Sequence, residues 1–157
     1  MTSRGIVRRG FSLIELVIVI VIIGIIAAIA IPRMSRGAEG ASDSALVANL
    51  AVLRNAIDLY TTEHEGLRPT AASIETQLLT YSKLDGTTQA TKDTSFIYGP
   101  YLRAIPPMPI TGNRRGATGI AAADAVGVGW LYNETTGAIT SNTGVKTDAK
   151  GVLYTSY

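Results

Sequence analysis

The chain has no cysteine, and among its 157 residues it has a single histidine and a single tryptophan. Without cysteine it lacks the disulfides that many small exported domains use. One histidine, His64, excludes sites built from several histidines, and no Ser or Thr stands in a recognisable spacing to a catalytic partner. We expect His64 at a solvated helix end, because its neighbours Glu63 and Glu65 point to other sides of a helix. No phosphate-binding loop with a terminal Lys-Ser or Lys-Thr follows a strand. The sequence therefore predicts a protein that is not an enzyme.

Basic charge is also scarce outside the first ten residues. Arg4, Arg8 and Arg9 lie there without any acidic residue, and removing these three from the formal charge of +2 leaves −1. Arg114 and Arg115 form the only adjacent basic pair in the rest of the chain. A surface that binds nucleic acid neutralises several phosphates with clustered Lys and Arg. We therefore expect no nucleic-acid partner.

One long apolar stretch follows the basic residues. From Leu13 to Ile31 every residue is apolar, Gly or Ala, except Glu15. This length matches the ~30 Å hydrocarbon core of a bilayer, and the positive-inside rule places the N-terminus in the cytoplasm. A carboxylate costs roughly 2.5–3.5 kcal/mol at the bilayer centre, and the span contains no partner for Glu15. The stretch exceeds the 7–15 apolar residues typical of a secretory signal, so cleavage at 27–30 and an uncleaved single-pass anchor are the alternatives.

The residues around the start of this stretch resemble a known processing signal. Gly10-Phe11-Ser12-Leu13-Ile14-Glu15, followed by an apolar helix, is similar to the class III leader of type IV pilins and type II secretion pseudopilins. The resemblance implies that a prepilin peptidase cuts between Gly10 and Phe11 on the cytoplasmic face and methylates the amine of Phe11. It also matches Glu15 to the family's glutamate and Pro32 to the proline at the end of the apolar stretch.

Such cleavage gives Glu15 a chemical partner. It leaves the apolar helix in the mature chain and creates an ammonium at Phe11, within about one helical turn of Glu15. In a filament, Glu15 of one subunit is then expected to meet the Phe11 amine of its neighbour. Two desolvated charges offset the cost of burial only in close geometry, and losing one partner often costs about 3–5 kcal/mol. The pair is therefore expected to fix one axial register.

The apolar pattern predicts an α+β fold with one long N-terminal helix, from about Ser12 to Glu63, packed on a small antiparallel sheet domain. Pro32 is expected to kink this helix, because proline removes a backbone donor and clashes with the preceding turn. Gly37 and Gly40 favour local melting after Pro32, and a flexible linker there is the alternative. The second half is predicted to be amphipathic, with an apolar stripe of Leu46, Leu50, Leu53, Ile57 and Tyr60. The predicted divisions are a leader (1–10), a membrane or filament-core helix (11–32), the second helix half (33–63) and a globular α+β domain (64–157).

Several short elements are predicted within the globular domain. They are indicated by a candidate helix cap, by runs of strand-forming residues bounded by glycine, and by a stretch that contains three prolines. They are a helix at 71–82 capped by Thr70, a strand at 95–98, a surface loop at 101–119, a hairpin of 127–133 and 138–141 with glycine at its turn, and a last strand at 152–154. Trp130 and Tyr132 alternate on the hairpin strand and are expected to pack in the core.

We expect no bound cofactor. A calcium site built from Asp124, Glu134 and Asp148 is the alternative, because major pseudopilins often carry such a site in their C-terminal loop. These three acids are widely spaced in the sequence, and calcium takes six to eight oxygen ligands.

Together these features predict a membrane-anchored structural subunit that polymerises with itself and with other pseudopilins. The expected location is the bacterial inner membrane, with one span, a cytoplasmic N-terminus and a periplasmic or extracellular C-terminal domain. The expected partners are a prepilin peptidase and an inner-membrane assembly platform. The absence of cysteine favours a pseudopilin of a type II-like secretion system, because many type IV pilins close a C-terminal loop with a disulfide. A type IV pilin for adhesion, motility or DNA uptake and a single-pass anchored envelope protein are the alternatives.

Overall fold

The computed structural model describes residues 11–110, 114–144, 146–148 and 151–157, apart from the side chains at positions 32, 35 and 36. The chain divides between Ala38 and Glu39 into two units. The junction residue Gly10 lies outside the described residues, so its predicted role stays a prediction.

Helix α1 (Leu13–Glu63) forms all the regular structure described in the first unit and continues into the second. Its bounds confirm the predicted long helix. It ends where Glu65 takes a positive φ of 55°, and Gly66 donates its N–H to the carbonyl of Thr61 at 2.8 Å. The donor is the second residue past the helix cap, and the acceptor is the third residue from the end of α1. This is the hydrogen bond of a Schellman motif.

The second unit combines the last part of α1 with a short helix and two small sheets. Helix α2 (Ile74–Leu79) leads into β1 (Tyr81–Ser82), which pairs antiparallel with β2 (Thr88–Gln89). The second sheet has the order β3–β4–β5, formed by Gly119–Ala121, Val128–Asn133 and Ala138–Ser141. Strand β3 runs parallel to β4, and β4 runs antiparallel to β5. The α+β prediction is therefore confirmed, with a mixed rather than purely antiparallel second sheet.

The core of the second unit lies between the inner face of α1 and the β3–β4–β5 sheet. The predicted stripe of α1 is buried along its whole length, and Trp130 and Tyr132 of β4 are buried opposite it, as predicted. The hairpin is confirmed as well, with Trp130 paired to Ser141 and Gly137 at a positive φ of 76° in its turn. The other core residues are Ala56, Ile74, Leu78, Ile105, Met108, Ile110, Ile120, Ile139 and Tyr154.

Four local predictions are wrong. The predicted helix at 71–82 is only six residues long, and it begins after Ser73 rather than after Thr70. The predicted strand at 95–98 pairs only through a bridge between Tyr98 and Ser82. The predicted last strand at 152–154 is a bridge at Leu153 followed by a 3₁₀ turn at Tyr154–Ser156. The proline-containing loop is not confined to the surface, because Ile105, Met108 and Ile110 enter the core.

Candidate functional site

The start of α1 contains a local partner for Glu15 that the sequence reasoning missed. The backbone N–H of Ser12 donates to a carboxylate oxygen of Glu15 at 3.0 Å, and the N–H of Leu16 donates to the carbonyl of Ser12 at 3.2 Å. A Ser followed three residues later by Glu is a capping box, in which the glutamate returns to the backbone of the cap residue. Ser12 lies just before the span Leu13–Ile31 and supplies a backbone N–H rather than a charge. The Ser-x-x-Glu spacing in the sequence was the signal that could have revealed it.

Phe11 precedes this capping box and lies outside the helix. Its side chain is exposed. The processing and methylation predicted for Phe11 stay predictions.

The apolar stretch after Glu15 is exposed except at Ala27 and Ala30, which are half-buried. Leu13–Ile31 is the one described helical segment that is long and apolar enough to cross a membrane, and none of it is buried. Its side chains include a nearly continuous series of exposed Ile and Val residues from Val17 to Ile31. Contiguous apolar surface of this extent on a single chain marks contact with lipid or with other proteins.

Position 32 is helical, so Pro32 does not end α1. The predicted kink at this residue stays a prediction. Gly37 and Gly40 are helical too, and nothing lies within 4 Å of a Cβ built on either of them. Both glycines are therefore open to close approach by another chain.

Beyond Glu39, α1 carries aliphatic side chains on its outer face as well as on its buried stripe. Val47, Val52 and Leu59 are 47%, 46% and 50% exposed. Val52 and Leu59 are seven residues apart and share one face of the helix, whereas Val47 lies about 140° from Val52 around the axis. We name Val52 and Leu59 the outer stripe of α1. The polar residues between and beside them are few, including Asn55, Asp58 and Thr62. The sequence reasoning missed this stripe because it searched for one apolar face, whereas the helix has two.

His64 is buried, which corrects the prediction of a solvated helix end. Its side chain is only 2% exposed, and its ring stacks on Tyr60 with centroids 3.8 Å apart. Its Nδ1 lies 2.8 Å from the carbonyl oxygen of Tyr60, and its Nε2 lies 3.0 Å from the Ser82 hydroxyl. Both ring nitrogens thus bind groups of the fold itself, and the histidine joins the end of α1 to β1.

Tyrosine–carboxylate hydrogen bonds join α1 to later parts of the chain. The Tyr154 hydroxyl donates to Asp43 at 2.5 Å, and the Tyr101 hydroxyl donates to Glu63 at 2.7 Å. Burial, followed by the hydrogen bond to the carboxylate, raises the pKa of each of these tyrosines. The guanidinium of Arg54 adds a bond from α1 to the carbonyl oxygen of Tyr157. The bonds of Tyr154 and Tyr157 hold the last residues of the chain against the helix.

The three acids considered for calcium form hydrogen bonds in three different parts of the fold. Asp124 binds Arg114 and Asn142, Glu134 accepts the N–H of Ala71 at 2.8 Å, and Asp148 accepts the N–H of Val152 at 2.8 Å. Within the described ranges, no three His, Asp or Glu side chains form a group able to hold a metal ion. Calcium binding was an alternative drawn from the resemblance, and it stays untested.

Comparison with protein families gives one match, to the prokaryotic N-terminal methylation motif, at residues 7–31. Residues 7–31 carry the prepilin cleavage signal of type IV pilins and pseudopilins. The signal spans Gly10, Phe11, Ser12 and Glu15, and so includes the capping box at the start of α1. No curated protein and no solved structure matches the chain.

The prepilin signal and the fold agree with each other. The signal occupies the part of α1 whose apolar side chains are exposed, and the rest of the chain is an α+β unit consistent with a pilin-like fold. The signal points to a structural, membrane-anchored protein of the pilin type and implies processing by a prepilin peptidase. A secretion pseudopilin and a surface pilin share it.

Proposed function

We propose that this chain is a pseudopilin, a structural subunit of the pilus-like filament of a type II-like protein secretion system. The observation that carries the proposal is the prepilin signal at the start of an apolar helix that is exposed over Leu13–Ile31. An ordinary cleaved signal would be lost with its apolar segment. Cleavage between Gly10 and Phe11 instead retains the apolar segment, so the mature subunit stays in the membrane until it is assembled.

Glu15 is the residue expected to guide assembly. In the single subunit its carboxylate accepts the N–H of Ser12, so it is satisfied within its own chain. Cleavage adds an ammonium at Phe11, and a neighbouring subunit can present this charge to Glu15 in an apolar environment. A charge-assisted hydrogen bond is about twice as strong as one between neutral groups. Glu15 then exchanges its bond to the Ser12 N–H for a bond to a neighbour's amine. This exchange favours the assembled state at one axial register.

The membrane anchor sets the expected location and partners. The positive-inside rule applied to Arg4, Arg8 and Arg9 places the N-terminus in the cytoplasm, where a prepilin peptidase acts, and the second unit on the other side of the inner membrane. Extraction from the bilayer during filament growth requires an assembly platform in the same membrane. The filament would contain this chain and other pseudopilins.

The secretion role is favoured over a surface pilus by the absence of cysteine. Deletion of the gene is expected to abolish export of secreted enzymes without loss of surface fibres. Loss of surface fibres, together with twitching or transformation, would instead identify a type IV pilin. Both measurements use the same deletion strain, and restoring the intact gene is the control.

Processing is tested by intact-mass spectrometry of the membrane-extracted protein. We expect a mass that matches residues 11–157 plus one methyl group. Gly10→Ala is expected to leave the leader attached and to block assembly. A single-pass envelope protein would keep its leader in the parent chain and would function normally in the Gly10→Ala variant.

The role of Glu15 is tested with two substitutions that separate charge from capping. Glu15→Gln keeps an oxygen that can accept the Ser12 N–H but removes the charge, whereas Glu15→Ala removes both. We expect both variants to be processed and both to fail in filament assembly. Assembly of the Gln variant at the parent level would show that only the cap matters, and would refute the ion pair between subunits.

A further inference from the structure

The loop between β3 and β4, residues 122–127, presents apolar side chains to solvent. Parallel strands usually need a crossover of a dozen or more residues, and here six residues return the chain from β3 to β4. So short a crossover has no segment of its own with which to cover its side chains. Ala122, Ala123 and Ala125 are exposed, and Val126 is 96% exposed. We name residues 122–127 the crossover loop.

The crossover loop is held in place by hydrogen bonds. One carboxylate oxygen of Asp124 accepts from Arg114 at 2.5 Å and from the side-chain amide of Asn142 at 2.7 Å. Asn142 is buried and also donates to the carbonyl of Val128 at 2.8 Å. The N–H of Val128 closes a turn onto the carbonyl of Ala125 at 3.2 Å. Val126 is thus presented by a braced turn.

Asp124 retains capacity for a further contact. Its bonds to Arg114 and Asn142 use Oδ1, and the described residues provide no hydrogen bond to Oδ2. The Asp124 side chain is 59% exposed. The crossover loop therefore combines a protruding aliphatic side chain with an accessible carboxylate oxygen two residues away.

A groove beside Arg114, the residue that binds Asp124, has the complementary properties. It is an open groove of about 390 Å³ between α1 and the proline-containing loop. Arg115 lies at its edge, is exposed, and forms no ion pair within the described part of the chain. We name it the α1 groove; its apolar lining consists of Ala41, Ala45, Pro107, Met108 and Pro109.

We propose that the crossover loop of one copy docks in the α1 groove of a second copy, with Val126 against the apolar lining and Asp124 facing Arg115. This contact rests on the proposed filament function and identifies surfaces outside the apolar helix. The loop and the groove are different surfaces of the same chain, so the contact is heterologous. Heterologous contacts that do not close into a ring produce open helical filaments.

Charge and shape favour this occupant over the other exposed apolar surface. An apolar groove with an unpaired guanidinium at its edge requires an apolar group accompanied by an anion, and Val126 with Asp124 supplies both. The outer stripe of α1 also lies near an acid, Asp58. However, the side chains of that stripe are about half covered by their own helix, whereas Val126 protrudes from a turn.

The absence of cysteine allows a direct cross-linking test. The variant Val126→Cys/Ala45→Cys carries one thiol in the loop and one in the groove. Cells that express this variant, treated with a mild oxidant, are expected to give a ladder of disulfide-linked multimers on a non-reducing gel. Each single variant is expected to give no ladder. The matched control Ala90→Cys/Ala45→Cys replaces Val126 by another exposed position and is also expected to give none.

Substitution of Arg115 in the double-cysteine background tests the charge. A surface ion pair is worth up to about 1 kcal/mol, so Arg115→Glu is expected to lower the cross-linked fraction roughly three- to fivefold. Arg115→Lys is expected to keep it. An equal yield in the Glu and Lys variants would overturn the charge pairing.

The outcomes separate this inference from the filament proposal. Normal export of secreted enzymes by the double-cysteine variant without a ladder would refute the loop–groove contact alone. Dimers in the single Val126→Cys variant would show that two loops meet each other, which also contradicts it. Export that is unaffected by deletion of the gene would refute the proposed function, and the contact with it.

Discussion

The alkaline stability of the second unit is expected to depend on Tyr132. This side chain is buried, and its hydroxyl donates to the carbonyl of Pro69 at 3.0 Å. Burial, followed by the charge of Glu134, raises the pKa of Tyr132 to about 12. The fold therefore favours the neutral phenol, whose pKa in an unfolded chain is about 10. Its contribution is fully present below pH 10 and is lost as the pH rises towards 12.

The magnitude follows from the shift. Two pH units at 1.36 kcal/mol each give a loss of up to about 2–3 kcal/mol in the free energy of unfolding between pH 10 and pH 12. Tyr132→Phe removes the ionisable group and the hydrogen bond to Pro69. At pH 7 the variant is expected to be less stable than the parent by about 1 kcal/mol, the net worth of one hydrogen bond. The difference should shrink above pH 10 and then change sign.

The assay is urea unfolding of the full chain in detergent micelles, from pH 7 to pH 11.5. Trp130 is the only tryptophan and is fully buried, so its fluorescence reports the core of the second unit. Other tyrosines lower the stability of both proteins at high pH, and the difference between parent and variant isolates Tyr132. Tyr81→Phe, at a partly exposed position, is the control. A difference that stays constant from pH 8 to pH 11.5 would refute the reasoning.

Three further perturbations test the packing. Gly129→Ala places a Cβ 2.4 Å from the carbonyl oxygen of Ala117, so we expect a loss of more than about 2 kcal/mol in urea unfolding; Gly40→Ala, at a helical position with open space around it, should cause no loss. Tyr154→Phe removes the hydroxyl that binds Asp43, and a loss of about 1–3 kcal/mol at pH 7 is expected; no loss would mean that water replaces the contact. Leu50→Ala should cost about 2–5 kcal/mol, whereas Val52→Ala on the exposed outer stripe should cost under about 0.5 kcal/mol and lower the export of secreted enzymes instead.

Elements with a long, regular pattern could be predicted from the sequence. Helix α1 repeats its apolar spacing over many turns, and the β4–β5 hairpin combines alternating residues with a glycine at the turn. Strands β1, β2 and β3 have only two or three residues each, which is too short for a period to be recognised. The processing signal was predictable because its residues are contiguous.

Other predictions failed because side chains bind backbone groups that the pattern assigned to a strand. At 95–98 the sequence is rich in strand-forming residues, but the carboxylate of Asp93 accepts the N–H groups of Ser95 and Phe96. These two N–H groups therefore cannot also form hydrogen bonds to a neighbouring strand of a sheet. Competition of this kind is characteristic of Asp and Asn in turns. The Asp148 carboxylate does the same to Val152 near the predicted last strand.

The burial of His64 depends on residues distant in sequence. Tyr98 and Tyr101 lie about 35 residues further along the chain, and their rings lie 5.0 Å and 6.3 Å from the ring of His64. A local reading of Glu63-His64-Glu65 contains none of this information. The two charged neighbours alone predict that His64 is exposed to solvent. In the fold, aromatic rings cover the imidazole, and the Ser82 hydroxyl lies within hydrogen-bond distance of its Nε2.

The outer stripe of α1 supports an assembled state independently of the prepilin signal. A protein that is only anchored by one span needs apolar surface at residues 13–31 and gains nothing from exposed aliphatic residues on its second unit. Val52 and Leu59 lie on that unit, away from the buried stripe, and each is about half exposed. Covering such side chains yields roughly 25 cal/mol for each Å² of apolar area removed from water. In the proposed filament a second chain would cover this area, and both faces of α1 would then be used.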